Sequence, residues 1–397
     1  MAKTTSFSFK DISNALETIS QKTSVQIEKK SNSQRVCIDT GIYILNACLA
    51  KSILTGGVAN NRITFFAGKT GVGKSYLCYN ICKYAQKSGY NIIYIDTEFA
   101  IELSDFEDYG VDTEKNFMLL RSNKVEDLKI MLTQLLDGLK QEKLKGTDIG
   151  KTIIFMDSVG QLASAKEVED ALEGKNKQDM TRAKAIKSLF RIINSDLGFL
   201  NIGLICTNHT YDTTDLFPQE KMSGGEGANY SASTIIFLSK AKLKTGEEDE
   251  LDLQSGIVVT AQAKKNRMAK PKKVKFEINF GSGTNRYKGL EFFCTPENFE
   301  KIGIAKGKQE VNKKTGEITF VPGGTKWYVR HLDKSFYEKQ IFNKNVFTDE
   351  ILAALDPIIT DYFSYGTDED VDAEPVMGEE FNEDSEFNID TDDNLFK

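Results

Sequence analysis

Short apolar runs rich in Ile, Val and Phe recur through the middle of the chain, and between them the apolar residues change to the three-to-four spacing of helices. The runs are RITFFAG, NIIYIDTE, KTIIFMDS, NIGLICTNHT, STIIFLSKA, GIVVTAQA and VKFEINFG. Helical spacing is read from Lys74 to Ser88, onward from NIIYIDTE to about Lys145, and from about Thr181 to Leu197. Strand-sized runs that are apolar at every position predict burial on both faces. Their alternation with helices predicts a mainly parallel sheet covered on both sides, with late hairpins extending one edge. The fold class is therefore α/β.

The flanks read differently. Residues 1–35 combine a helix-like stretch, KDISNALETISQ, with a polar Lys- and Ser-rich segment. From about Tyr287 a small mixed unit is expected, with a hairpin around Pro322, Gly323 and Gly324 and an amphipathic helix near Asp349 to Tyr362. The resulting division is an N-terminal appendage (1–35), a core (36–285), a small C-terminal α+β domain (286–365) and an acidic tail (366–397). No internal repeat is visible.

Charge sharpens the division. The tail carries thirteen Asp and Glu against one Lys, or −12, while the whole 397-residue chain is at −7, so the rest carries +5. An acidic tail on a basic body is a common arrangement in nucleic-acid-binding proteins, where the tail competes for the same surface; the alternative is a solvated segment that only aids solubility. The tail is expected to be disordered. Phe381, Phe387 and Phe396 are spaced among its acids, a composition that could mimic DNA or dock onto a protein. The six cysteines lack metal-ligand spacing with His and read as free thiols of a reducing compartment. Cys78 and Cys82, one helical turn apart, read as buried thiols in preference to half a metal site. The first residues lack an apolar leader and the longest apolar runs are strand-sized, so the chain is expected to be soluble and cytoplasmic, without a membrane partner.

The most specific motif is Gly68-Lys69-Thr70-Gly71-Val72-Gly73-Lys74-Ser75, a full GxxxxGK[ST] match between an apolar strand and a helix. Glycines let successive backbone N–H groups curl around phosphate oxygens at a helix N-terminus, where partial positive charge accumulates. Lys74 is expected to reach the β- and γ-phosphates of ATP and Ser75 to ligate Mg²⁺. Asp157 ends the strand TIIFMD, where a carboxylate can hold the metal's water shell or cap the following segment. Glu98 closes YIDTE and can serve as the base for an attacking water or be a surface carboxylate.

These residues stand in the order of a known family. IDTG (Ile38 to Gly41) before an apolar helix, GGVANNRIT before the phosphate loop, IDTE after the next strand and MDSVGQL after the third resemble the RecA family from about Ile38 to Gly283. The resemblance implies a RecA-like P-loop ATPase core, preceded by a short N-terminal polymerisation segment, with Glu98 as catalytic glutamate and Asp157 as the metal-site aspartate. Thr207-Asn208-His209 ends a strand where bacterial RecA has Asn-Gln. His209 accordingly takes the place of the γ-phosphate sensor, a departure that adds a titratable group.

Two further loops follow from the same resemblance, and both should face DNA. One runs from about Ala163 to Asp179; the other, from about Thr210 to Ser231, carries Ser223-Gly224-Gly225-Glu226-Gly227. Arg182 matches a DNA-contacting arginine of the family. The run from Lys264 to Lys275 has seven basic residues and no acid, and its composition alone fits a nucleic-acid patch or a solvated hairpin. The family pattern implies that Lys265 and Arg267 reach a neighbouring subunit's ATP. The segments GGTKWYVR and KSFYEKQIFNKNVFTDEILAAL resemble phage members of the family.

The resemblance thus implies a DNA-dependent ATPase of phage recombination, repair and recombination-dependent replication, acting in the infected host's cytoplasm. Its helical filaments on single-stranded DNA would pair homologous duplex DNA and exchange strands, with a single-strand-binding protein and a recombination mediator as partners. The competing readings are a replicative helicase of the same fold and a non-catalytic recombination mediator.

Overall fold

Seven of the apolar runs become the strands that their composition predicts. The computed structural model describes residues 13, 14, 16–18, 36–174, 181–214, 218–225, 227–243, 255–311 and 318–366. In chain order the first elements are β1 (Cys37–Ile38), α1 (Tyr43–Ala50), β2 (Val58–Ala59), β3 (Ile63–Gly68), α2 (Lys74–Lys87), β4 (Tyr90–Asp96), α3 (Leu103–Asp108), β5 (Phe117–Arg121), α4 (Val125–Leu144) and β6 (Lys151–Asp157). There follow α5 (Ala165–Leu172), α6 (Thr181–Leu200), β7 (Gly203–Asn208), β8 (Thr210–Asp212), β9 (Glu220–Met222), α7 (Gly227–Ser231), β10 (Thr234–Lys242), β11 (Gly256–Asn266), β12 (Lys273–Asn279) and β13 (Gly283–Thr284).

Nine strands form one sheet in the order β13-β12-β11-β10-β3-β7-β6-β4-β5. From β10 to β5 every neighbouring pair is parallel; from β10 to β13 every pair is antiparallel. Adjacent residues of one strand serve opposite faces. Phe66, Phe155 and Ile205 join the cluster under α1 and α2, while Phe65, Ile154 and Leu204 join the one under α4 and α6. This is why the runs are apolar at every position. A buried side chain of this size contributes about 1.5–3 kcal/mol, so the two faces together fix where the strand ends sit.

β5 went unread in the sequence, and its burial explains why. It is the edge strand, with Met118 and Arg121 exposed and the rest half-buried, so it lacks the continuous apolar signature of the interior strands.

The C-terminal elements are α8 (Phe299–Ile302), β14 (Ile304–Val311), β15 (Ile318–Val329), β16 (Lys334–Phe336), α9 (Glu338–Ile341) and α10 (Asp349–Tyr362). Thr348 caps α10 by accepting a hydrogen bond from Ile351 N. Trp327, Val329, Phe347, Leu352, Leu355 and Ile359 bury into the same cluster as α1 and α2. Asp356 of α10 accepts hydrogen bonds from Ser52 Oγ (2.9 Å) and Ile53 N (2.7 Å). Through Ser364 the chain forms one compact unit.

Pro322-Gly323-Gly324 corrects the sequence reading. It lies inside β15, not at a hairpin turn: the register jumps from Lys306 opposite Trp327 to Gly307 opposite Pro322. The intervening residues bulge out, with Gly323 at φ 117° and Gly324 at φ 83°. Turn-forming residues also serve bulges, which need the same backbone freedom. Of the N-terminal appendage, Ser13, Asn14 and Leu16–Thr18 are helical. The acidic tail from residue 367, with its three phenylalanines, lies outside the described residues.

Candidate phosphate and nucleic-acid site

The parallel strands deliver their carboxyl ends to one edge. Gly68 ends β3, Asp96 ends β4, Asp157 ends β6 and Asn208 ends β7, and ligands of parallel α/β sheets bind at such an edge. The loop Gly68 to Ser75 connects β3 to α2 as the motif predicts. Gly71 (φ 73°) and Gly73 (φ 90°) both take the left-handed conformation, so the two glycines carry the curl of the loop. Gly73 immediately precedes α2. Lys69 and Thr70 are exposed, Val72 is buried and Ser75 is half-buried in the first turn of α2.

Lys74 is buried, and its Nζ donates to the carbonyls of Gly68 (2.9 Å) and Lys69 (3.0 Å). Burial pulls its pKa down, while the fields of Asp157 and Glu98 act the other way. No carboxylate lies within ion-pair distance of it among the described residues. A desolvated ammonium folded over a cradle of backbone N–H groups suits a polyphosphate.

Asp157 is buried, with Oδ2 accepting from Tyr94 Oη at 2.8 Å and Oδ1 from Thr207 Oγ1. Both oxygens are already engaged, which suits a carboxylate that holds a metal's water shell better than one that binds the ion directly. Ser75 and Asp157 therefore fit Mg²⁺ on an ATP seated in the loop, with Ser75 supplying the hydroxyl ligand.

Two carboxylates of IDTE separate in role. Asp96 is fully buried and accepts hydrogen bonds from Glu98 N (2.9 Å), Phe99 N (2.9 Å) and Ile101 N (3.1 Å), so it shapes the turn that presents Glu98. The Glu98 side chain is half-buried; its Oε1 meets Ser158 Oγ at 2.8 Å and His209 Nε2 at 3.2 Å. Ser158 in turn is held by Thr97 (Ser158 N to Thr97 Oγ1, 2.7 Å; Thr97 Oγ1 to Ser158 O, 2.6 Å). Sequence reading missed Asp96, Thr97, Ser158 and Thr207; all four flank residues it did select.

His209 connects the phosphate edge to the glycine-rich segment. Its N donates to Asn208 Oδ1 (2.9 Å), Asn208 Nδ2 donates to Ser223 O (2.9 Å) and Ser223 Oγ returns a bond to Asn208 Oδ1 (2.8 Å). Ser223 thus joins Gly224 and Gly225 (φ 86° and 82°) to the end of β7. Glu226 lies outside the described residues. Gly227 opens α7, where an added Cβ would sit 2.5 Å from that of Lys187. Lys69 reaches the same region, its Nζ 2.9 Å from Asp212 Oδ2 on β8.

Neither expected loop is structureless. Within 163–179, α5 is capped by Ser164, which accepts from Glu167 N (3.1 Å) while Glu167 reaches back to Ser164 N (3.4 Å). The S-x-x-E pattern that marks such a box was present in the sequence. Residues 175–180 lie outside the description. Within 210–231, β8 and β9 form a hairpin followed by α7. Arg182, at the start of α6, donates from Nε to Leu162 O (2.5 Å) and from Nη2 to Gly160 O. Its guanidinium is engaged with the turn that follows Ser158.

The basic run is distributed over two strands and the turn between them. Lys264, Lys265 and Asn266 end β11, and Lys273, Val274 and Lys275 begin β12. Asn266 is buried and bonds the carbonyls of Cys48 and Leu49. Lys265 Nζ donates to Asn229 O at 2.6 Å, and desolvation followed by the neighbouring Arg267 lowers its pKa. Register places these cations away from the chain's own phosphate loop. Lys265 pairs with Ile235, which pairs with Phe65, whereas the loop leaves the sheet at Gly68, opposite Leu238. At ~3.3 Å per residue, Lys265 sits about 10 Å down the sheet from the loop's first residue, and Arg267 farther still.

After β4, Phe106 is fully buried against Tyr79, Tyr94 and Phe117, while Tyr109 is exposed. Cys78 and Cys82 are fully buried, and burial pushes both thiols well up. No described helix is long and apolar enough to cross a membrane.

The same arrangement is met in known proteins. A recombination and repair protein of Enterobacteria phage T4 is 29% identical over 330 residues, covering 81% of this chain and 79% of that one. Protein RecA of Helicobacter pylori (strain P12) is 26% identical over 267 residues, 66% of this chain and 71% of its own. A mitochondrial DNA repair protein of Arabidopsis thaliana, recA homolog 3, is 26% identical over 251 residues, and this chain spans about half its length (53%). The RecA N-terminal domain family matches residues 10–285, well over half of the chain and every strand of the large sheet. With the phosphate loop, the strand-end carboxylates and the glycine-rich segment all inside that match, the chain belongs to the RecA family.

Proposed function

We propose that this protein is an ATP-dependent DNA recombinase that forms helical filaments on single-stranded DNA and uses them to pair homologous duplex DNA and exchange strands in phage recombination, repair and recombination-dependent replication. The observation that carries the reading is the run of hydrogen bonds from Glu98 through His209 and Asn208 to Ser223, which joins a hydrolytic carboxylate to a glycine-rich backbone.

In this reading the backbone N–H groups of Gly68 to Ser75 and the Lys74 ammonium hold the phosphates of ATP; Ser75 would ligate Mg²⁺ and Asp157 would hold its water shell, and the ion would supply positive charge beside those phosphates. Glu98 takes a proton from water as the water oxygen bonds to the γ-phosphorus, and the bond to the β,γ-bridging oxygen breaks to release ADP. His209 senses the γ-phosphate and carries its presence to Ser223, Gly224, Gly225, Glu226 and Gly227 at the DNA. Lys265 and Arg267 complete the site of the neighbouring protomer, a reading supported by their distance along the sheet from this chain's own phosphate loop. Arg182 contributes to DNA contact once its guanidinium is released from the carbonyls of Gly160 and Leu162. Contacts to the phosphate backbone make binding nearly independent of sequence and strongly dependent on salt. A single-strand-binding protein and a recombination mediator are the protein partners, and the acidic tail is their docking segment or a competitor for the DNA surface.

The test is ATP hydrolysis with and without single-stranded DNA over a range of salt, alongside strand exchange between homologous substrates. Stimulation that fades as salt rises, together with exchange that requires ATP, is expected. Hydrolysis indifferent to DNA contradicts the proposal.

A further inference from the structure

Ser158 follows the metal-site aspartate directly, yet its hydroxyl does none of the work that its position suggests. It precedes the short 3-10 turn Val159–Gln161 without capping it. The residue is fully buried, and Thr97 holds its backbone on both sides, accepting from its N–H and donating to its carbonyl. The main chain of the serine is thereby fixed at the end of the strand. Its hydroxyl points at Glu98 Oε1, 2.8 Å away.

The main chain of Glu98 is restrained too, by the bond from its N–H to buried Asp96. Of the two carboxylate oxygens, Oε1 meets both Ser158 and His209, while Oε2 accepts no hydrogen bond among the described residues. The two partners of Oε1 differ in kind: Ser158 is buried with its main chain held by Thr97, and His209 is partly exposed at the start of a segment that leaves the sheet.

Resting on the ATPase reading above, we propose that Ser158, clamped by Thr97, is a positioning residue for hydrolysis: it ties down Oε1 of Glu98 so that Oε2 faces the attacking water. His209 can then leave Glu98 for a phosphate without releasing the base from its orientation. The Thr97–Ser158 clamp joins the ends of β4 and β6, so the base is set by the same two strands that carry Asp96 and Asp157. A hydrogen bond from a hydroxyl to a carboxylate is among the stronger single contacts, and holding a general base in line is where such a contact acts on rate more than on binding.

The experiment compares DNA-stimulated kcat, KM for ATP and equilibrium binding of a fluorescent ATP analogue in wild type, Ser158→Ala, Ser158→Cys, Glu98→Gln and the Ser158→Ala/Glu98→Gln double variant. Ser158→Ala is expected to lower kcat roughly 10- to 100-fold with analogue binding and KM unchanged. Ser158→Cys, of similar volume but a weak donor, should fall between wild type and Ser158→Ala. In the Glu98→Gln background the serine change should have no further effect on kcat, because there is no base left to position. Any of three results overturns the role: wild-type kcat in Ser158→Ala or Ser158→Cys, a parallel loss of analogue binding, or an undiminished loss in the Glu98→Gln background. A wild-type protein that hydrolyses no ATP overturns the ATPase reading itself, and the role with it.

Discussion

The large sheet has two halves that use charge in opposite ways. In the parallel half, β10 to β5, the strands bring Gly68, Asp96, Asp157 and Asn208 to one edge, and the charged groups there are cross-bonded to one another's neighbours. In the antiparallel half, β10 to β13, Lys265 and Arg267 sit toward the other end of the sheet, with a carbonyl holding Lys265 and no phosphate loop of their own within reach. The first half gathers the proposed phosphate site; the second carries cations set apart from it. In the proposed filament the second half of one protomer meets the first half of another.

The largest expected effect separates the halves directly. Arg267→Ala should lower DNA-stimulated hydrolysis by about 10³-fold, the scale of an arginine supplied across an interface, with nucleotide binding by the isolated protomer unchanged. Steady-state rates and fluorescence titration read the two separately. Lys74→Ala, in the first half, should lose hydrolysis and binding together.

Smaller effects probe how firmly the first half is built. Gly73→Ala forces a left-handed φ of 90° on an L side chain, a strain of about 1–2 kcal/mol, and brings its Cβ to 2.7 Å from Ile278 Cδ1. Nucleotide affinity and thermal midpoint should both fall. Smallest is Tyr94→Phe, which removes one donor from buried Asp157 and should cost about 1–3 kcal/mol in urea unfolding. An effect of Tyr94→Phe as large as that of Arg267→Ala on turnover would erase the distinction between the halves.

Local chemistry was readable in the sequence and long-range chemistry was not. The phosphate loop could be recognised because eight consecutive residues carry it, and the interior strands because burial on both faces leaves an unbroken apolar run. Asp96 and Glu98 look alike in IDTE; only folding shows that one is fully buried against three backbone N–H groups while the other reaches the site edge. Ser158 and Thr97 stand 61 positions apart, so their clamp has no sequence signature. The misreading of Pro322-Gly323-Gly324 has a different origin, since a bulge and a turn select the same residues. The cap of α5 was legible in Ser164 and Glu167, and loop length obscured it.

The proposal of a site shared between protomers is tested most directly by mixing two inactive proteins. Lys74→Ala keeps the donor half and lacks the acceptor; Arg267→Ala keeps the acceptor and lacks the donor. Combined in equal amounts on single-stranded DNA, they should regain ATP hydrolysis well above that of either alone, because some interfaces then hold an intact Lys74 beside an intact Arg267. A mixture no more active than the sum of its separate components contradicts a site built from two protomers.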